Sequence, residues 1–527
     1  MANFAVSFVA LFLFYIFQQS NAASASFNVI TFGAKPDGKT DSTQPFLKAW
    51  SAACSSASPS IVYVPRGSYL LKAIVFTGPC KNKIRVQIDG TLVAPTDYRA
   101  LGNSGYWILF IKVNRVSVFG GTLDARGAGF WACRKSGLNC PVGARSMTFN
   151  WANDILISGL TSINSQSMHL VINSCNNVLI RNVRAIAPDL SPNTDGIHVQ
   201  VSTGVTITGS TLQTGDDCIS IGPSTRNMLM SNIKCGPGHG ISIGSLGKDV
   251  NEGGVENITL TDSIFSGSDN GVRIKSWARP SNGFVRNVVY QNVIMNNVRN
   301  PIIIDQNYCP NNQGCPRQSS GVKISQVTFR NIKGTSATPE AVKFDCSSSN
   351  PCSGIRLQDI KLTYMNKAAT SSCKNIGGTS SGVLMPQSCQ SNASYNVITF
   401  GAKPDGKTDS TQPFLKAWSA ACSSASPSII YVPKGRYLLK ETVFRGPCKN
   451  KITFQIDGSL VAPTDYRALG NSGYWILFIK VNRVSVFGGT LDAKGAGLWA
   501  CRKSGLNCPV GARGEFVNTV YDIQLGK

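Results

Sequence analysis

The chain runs to 527 residues, of which only 15% are charged, yet 51 Lys+Arg stand against 27 Asp+Glu for a net charge of +24. Hydrophobic residues at 42% supply a packed core and exclude a disordered chain. The positive excess points to an anionic partner. Basic residues never run longer than two and are not interleaved with aromatics, which argues against nucleic acid.

At the N-terminus, Phe4 to Phe17 form an apolar run, followed by the small residues Ala22-Ala-Ser-Ala25. This is the pattern of a secretory signal over residues 1–25. The run is short for a membrane helix. Seventeen cysteines in an exported chain imply a disulfide framework, and the odd count leaves one thiol over. No cysteine pair has zinc-finger spacing, and three histidines (His169, His198, His239) are few for a metal site, so no metal is expected. Asn257-Ile-Thr259 and Asn392-Ala-Ser394 are N-glycosylation acceptors in such a compartment.

Residues Asn28–Arg145 recur as Asn396–Arg513, differing at 11 of 118 positions. So close an identity marks a recent partial duplication, or a fusion of neighbouring copies, rather than two diverged domains. The expected organisation is a signal (1–25), a main domain (26–393), a partial duplicate (394–513) and an unrelated tail (514–527).

Between the copies the pattern changes. Short β-branched runs recur between Gly, Asn, Ser and Asp: Asn177–Ile180, Val205–Ile207, Asn257–Leu260 and Asn287–Val289. A second set runs alongside: Ile197-His-Val199, Ile219-Ser-Ile221, Ile241-Ser-Ile243, Val272-Arg-Ile274, Ile302-Ile-Ile304 and Val342-Lys-Phe344. The first three begin at a regular spacing of about two dozen residues or fewer, the repeat length of a solenoid. More than one strand per repeat, with little helical pattern, predicts an all-β parallel β-helix whose coils stack about 4.8 Å apart. Hairpin turns of the Asn-Gly or Asp-Gly type are scarce, which disfavours the competing β-sandwich.

On that register Asp195, Asp217 and His239 each sit two positions before a strand start. One coil per step stacks them in a column on the outside of the solenoid. Asp216 adjoins the column, and Arg273 and Lys275, at i and i+2, face one side of their strand. Carboxylates packed together repel, so at least one should hold its proton more tightly, as a general acid must. Paired carboxylates of this kind suit glycoside hydrolysis.

The motifs Asn193-Thr-Asp-Gly196, Gly215-Asp-Asp-Cys218, Gly238-His-Gly240 and Arg273-Ile-Lys275 resemble the four signature motifs of polygalacturonases, glycoside hydrolase family 28. The resemblance covers roughly Phe27 to Cys389. It includes Phe32-Gly-Ala-Lys35 and Gly120-Gly-Thr-Leu-Asp124, both typical of plant members. It implies a right-handed parallel β-helix that hydrolyses α-1,4 bonds between galacturonates in pectin. It also implies a secreted, monomeric cell-wall enzyme with no cofactor, metal, nucleic-acid or membrane partner. Asp216 matches the general acid, and Asp195 and Asp217 the pair that activates water. His239 matches the assisting histidine. Arg273, Lys275, Tyr308 and Asn193 match substrate-binding positions. Cys218–Cys235, Cys346–Cys352 and Cys373–Cys389 resemble family pairs, and Cys309–Cys315 is suggested by proximity. Inversion requires room for water, about 6.5–9.5 Å between Asp216 and at least one of Asp195 and Asp217. The rival readings are a rhamnogalacturonan hydrolase, a pectate lyase, or an inactive pectin-binding protein. The last would be expected to lack one of Asp195, Asp216, Asp217 or His239, and all four are present.

Overall fold

The computed structural model describes residues 24–310, 313–316, 318–389, 393–424, 428–518 and 521–526. The apolar leader and the acceptor Asn392 lie outside the described residues. The described chain divides into two compact units, the second comprising the described residues after Gln387 together with Ser353–Ile355 and Ile376–Ser380.

The first unit is a right-handed parallel β-helix. An 11-stranded parallel sheet forms one face, and the other strands merge around the corners into a 22-stranded sheet. Each strand pairs with its equivalent one coil on. Leu170, Ile197, Ile219, Ile241, Val272, Ile302 and Val342 therefore stand in one row. These side chains are all buried. Inside the first coils Phe76, Phe110 and Phe149 stack in register at 4.8 and 4.7 Å between ring centroids, which is the coil spacing itself.

Several runs read as separate short strands are longer in the structure. Val255–Ser266 and Phe284–Val298 each turn a corner and stay in register with one another. Asparagine and aspartate make this possible. Asn257, Asp262, Asn287 and Asn292 adopt φ between 52° and 58°, where short polar side chains are tolerated best. Asn257 also links to its neighbours, its Nδ2 donating to Asn227 at 2.9 Å and its Oδ1 accepting from Asn287 at 3.3 Å.

A helix at Thr43–Ser55, not anticipated from the sequence, buries Phe46, Ala49, Trp50 and Ala53 against the first coils. Its stripe of apolar residues at three- and four-residue spacing covers core that has no preceding coil to pack on. Among the described residues no helix is long and apolar enough to cross a membrane.

The second unit repeats this start. Helix Thr411–Ser423 buries Phe414, Ala417, Trp418 and Ala421, within a core that includes Tyr437, Phe444 and Phe478. Residues 514–518 and 521–526, which part from the first copy in sequence, still form strands. Arg513–Asn518 and Tyr521–Gly526 pair in parallel with Tyr474–Ile479 and Asn482–Asp492. Arg145–Asn150 and Asn153–Ser158 make the corresponding pairings in the first unit. A backbone ladder needs only an extended chain in register, so it survives the change of side chains.

The disulfides include Cys218–Cys235, Cys346–Cys352 and Cys309–Cys315, and Cys373 and Cys389 are both bonded. Cys54–Cys80 and Cys133–Cys140 were not anticipated, and they recur as Cys422–Cys448 and Cys501–Cys508. The leftover thiol is Cys175, which is buried and lies near the carbonyls of Asn173 and Phe149. Burial pushes its pKa up to about 11. A thiolate is the reactive form, so a thiol reagent at neutral pH should label Cys175 only after unfolding. Labelling of the native protein at the rate of a free thiol would contradict this placement.

Candidate active site

Four successive coils of the 11-stranded sheet carry the polar cluster. Backbone bonds fix the column of acids: Gly196 N donates to Asp217 O, and His239 N to Asp216 O. Asn270 continues it and donates its side-chain amide to His239 O at 3.0 Å. The glycines flanking His239 are dictated by crowding. Gly238 and Gly240 have φ of 142° and 85°, and a Cβ on Gly240 would lie 2.1 Å from Asn270 O.

The column is less exposed than the sequence suggests. Asp195 and Asp217 are 6% and 2% exposed, so they form the floor of the site. Asp217 is held by two cations: Arg273 Nη2 donates to its Oδ1 at 2.8 Å and Lys275 Nζ to its Oδ2 at 2.9 Å. Ser242 Oγ also donates to Oδ1 at 2.8 Å, while accepting from Arg273 Nε at 2.9 Å. Burial opposes ionisation here, but Lys275 and Arg273 outweigh it and hold this carboxyl below the usual carboxylate range.

Among the described residues no cation pairs with Asp195. Its Oδ2 lies 2.6 Å from Ser220 Oγ. Burial, with Asp216 and Asp217 nearby, pushes its carboxyl well above the usual range. Burial without a counter-ion thus raises the proton affinity of Asp195, whereas two cations depress that of Asp217.

Asp216 is the more open of the adjacent pair. Its Oδ1 accepts from the Asp217 amide at 2.7 Å and meets His239 Nδ1 at 3.1 Å. Its Oδ2 has a long contact of 3.4 Å with Asn193 Nδ2. The hydrogen bond to Asp216 raises the proton affinity of His239 against the effect of burial. His239 Nε2 faces Asp269 Oδ2 at 3.6 Å, and Asp269 pairs in turn with Arg299 at 3.2 Å. Asp216, Asp217 and His239 each bring one polar atom within 4.8 Å of the others, an arrangement that could also ligate a metal ion. The two cations already on Asp217 disfavour one.

Tyr308 stands at the edge of the cluster, packed edge-on against Trp277 with Lys275 Nζ 5.2 Å from its ring centroid. The structure thus brings Asp195, Asp216, Asp217, His239, Arg273, Lys275, Asn193 and Tyr308 together. It adds Asp269, Ser220, Ser242 and His198. The last three sit mid-strand in the triads Ile219-Ser-Ile221, Ile241-Ser-Ile243 and Ile197-His-Val199, where the repeat itself was the available signal.

Comparison with known proteins agrees with this architecture. The model of glycosyl hydrolases family 28 matches residues 54–389, and the chain belongs to that family. A polygalacturonase of Prunus persica is 54% identical over 387 residues, covering 73% of this chain and 98% of its own. An exopolygalacturonase of Platanus acerifolia is 43% identical, covering 69% and 98%. Among solved structures, an endo-xylogalacturonan hydrolase from Aspergillus tubingensis superposes with a TM-score of 0.60 at 23% identity, over 68% of this chain and all of that one. A polygalacturonase from Erwinia carotovora gives 0.55 at 23% identity, covering 68% and 97%. The chain is thus a glycosidase of the polygalacturonase type. A second model, of rhamnogalacturonase A/epimerase, pectate lyase-like proteins, matches residues 394–476 in the duplicate.

Lys275→Ala removes one of the two cations on Asp217. A fully orphaned buried charge costs roughly 3–5 kcal/mol, and Arg273 remains, so the loss in urea unfolding should be smaller than that. Asp217 contributes stability while ionised, and that contribution fades as pH falls through its depressed folded value. The gap between wild type and variant should therefore narrow once the pH drops below about 4. An equal gap at pH 7 and in acid would mean that Lys275 acts by packing alone.

Proposed function

We propose that this protein is secreted to the cell wall and hydrolyses α-1,4-galacturonosyl bonds of homogalacturonan with inversion, acting as a monomer. The reading rests above all on one observation, the unequal treatment of three neighbouring carboxyls. Asp217 is ionised by two cations, Asp195 is buried without one, and Asp216 is open and tied to His239.

Asp216 acts as the general acid. Its Oδ1 is occupied by the Asp217 amide and His239, so in the reactive form the one proton of the Asp195–Asp216 pair sits on Asp216 Oδ2, which delivers it to the glycosidic oxygen while Asp195 is ionised. Asp195 takes a proton from the attacking water, whose oxygen bonds to the anomeric carbon on the opposite face. The C–O bond to the leaving sugar breaks as Asp216 protonates it. Asp216 is left ionised and Asp195 protonated, and exchange with solvent resets both. Asp217 orients the water without competing for its proton. The room for that water lies between Asp216 and Asp195. Arg273 has five N–H donors and Lys275 three, and those not spent on Asp217 and Ser242 serve substrate carboxylates. Tyr308 and Asn193 line the same site. The many disulfides and the polyanionic substrate support an extracellular location.

Proton NMR of early products from polygalacturonate should show the inverted anomer, and a retained anomer would refute the mechanism. Asp216→Asn should lose at least ~10²-fold in kcat, the usual worth of a general acid. The pH profile of kcat/KM should be bell-shaped. With Asp217 ionised, the last proton leaves the Asp195–Asp216 pair at a pH raised by the burial of Asp195. Above that pH no acid remains, so the descending limb should lie well above the ordinary carboxylate range near 4. A descending limb at or below that range would argue against the assignment.

A further inference from the structure

Asp195 and Asp217 occupy equivalent places one coil apart. Each reaches forward to a serine on the next strand, Ser220 and Ser242, at 2.6 and 2.8 Å. Each serine has a second partner in the same column of the sheet, made of His198, Ser220, Ser242 and Arg273. For Ser242 the partner is Arg273 Nε, and for Ser220 it is His198 Nδ1 at 2.8 Å. The two relays differ in one respect. Arginine only donates, whereas a neutral imidazole nitrogen can accept.

The far side of His198 fixes which nitrogen carries the hydrogen. Asn173 Nδ2 donates to Asn150 Oδ1 at 2.6 Å, and Gln200 Nε2 donates to Asn173 Oδ1 at 3.0 Å. Gln200 therefore turns its Oε1 toward His198 Nε2, 3.1 Å away. That oxygen can only accept, so Nε2 bears the hydrogen. Burial disfavours a second proton on the ring and keeps it neutral. Nδ1 is then bare and accepts the Ser220 hydroxyl hydrogen. Ser220 Oγ has only lone pairs left for Asp195, and that contact is satisfied when Asp195 Oδ2 carries a proton and donates it. With Asp195 ionised, Ser220 can satisfy Asp195 or His198 but not both. In the other relay Arg273 donates to Ser242 and Ser242 donates to Asp217, so every contact is satisfied with Asp217 ionised.

We infer that His198 is a positioning residue: through Ser220 it strengthens the hold of Asp195 on a proton, and so tunes Asp195 as the acceptor of the proton from the attacking water. The inference rests on the base role proposed for Asp195. Arriving at Asp195, the proton stays there. Only the Ser220 hydroxyl turns toward His198, and nothing passes through the relay. The charged groups bearing on Asp195 are Asp216, Asp217 and Lys275, and those bearing on His198 are Arg145, Asp217 and Lys275. None of them contacts Ser220 in the described hydrogen bonds.

The test uses the full-length protein and polygalacturonate. His198→Phe removes the acceptor, so Ser220 turns to donate to Asp195 and favours its ionised form. The descending limb of kcat/KM should move down by about one pH unit, a tenfold fall in proton affinity, with KM little changed. Ser220→Ala leaves no hydroxyl to turn, so its limb should not move down, and adding His198→Phe in that background should change nothing further. A merely structural role would lower activity and melting temperature without this ordering. Infrared difference spectra against Asp195→Asn read the ionisation of Asp195 directly, whatever its catalytic role. If the infrared titration moves in His198→Phe and the kinetic limb does not, the base role of Asp195 fails. Should the infrared titration stay fixed, or should Ser220→Ala move down as His198→Phe does, the relay is wrong. Gln200→Leu takes away the acceptor that fixes the ring and extends the test if His198→Phe does not fold. It should weaken the hold of Asp195 on its proton in the same direction, and no downward move would overturn the relay.

Discussion

The constraint on which everything else depends is the parallel backbone ladder between coils. It spaces equivalent residues by one strand separation, and the stacked Phe76, Phe110 and Phe149 rings show that spacing at 4.8 and 4.7 Å. Such a ladder concentrates chemistry, because any polar residue repeated at the same coil position meets its neighbours within reach of a hydrogen bond. It also concentrates charge. Asp195 and Asp217, separated by one coil and joined by Asp216, cannot all ionise without repulsion. The structure meets this in two ways. Asp217 is given two cations, and Asp195 is given burial without one, which favours the neutral acid. The division of labour between the carboxyls thus follows from the crowding that the fold imposes.

Much of the fold was legible because a solenoid writes its period into the sequence. The triads beginning at Ile197, Ile219 and Ile241 mark strands that pair in register, and the acids two places before them mark the column. The family motifs lie on the same register. Other features left less trace. Ser220 and Ser242 sit in quoted triads, yet a serine in a strand is unremarkable until the coil on each side is known. Their meaning comes from Asp195, Asp217, His198 and Arg273, drawn from different coils. The helix Thr43–Ser55 leaves no trace in the β pattern because it interrupts the first coil, between Asp37–Asp41 and Ser60–Val64. Pairings such as Cys54–Cys80 depend on where that helix docks, which spacing alone does not supply.

The duplicate separates what the ladder needs from what the site needs. Residues 396–513 rebuild the helix and the early coils almost unchanged, and the strands after Arg513 keep the pairings with few of the same residues. The ladder tolerates this because its bonds are made by the backbone. Residues equivalent to Asp195, Asp216, Asp217, His239, Arg273 and Lys275 do not occur there, since the copied segment corresponds only to residues up to Arg145. Fold and active site are thus separable in this sequence, and only the first unit holds both.

Charge can now be assigned more closely than composition allows. Arg273 and Lys275 look from the sequence like free anchors for an anionic polymer, but both are engaged with Asp217. Two cations set against Asp217 and the one negative charge of the Asp195–Asp216 pair leave the cluster close to balanced. Attraction of a polyanion over distance must then come from basic residues elsewhere on a chain of net charge +24, and salt should screen it. The contribution of Arg273 and Lys275 is local. Their remaining N–H groups can meet one carboxylate of the substrate while their other bonds keep Asp217 ionised. A substrate anion placed there would share its cations with Asp217, so binding would loosen the hold on the carboxylate proposed to orient the water. Substrate binding and the proton inventory of the site are therefore coupled through two side chains.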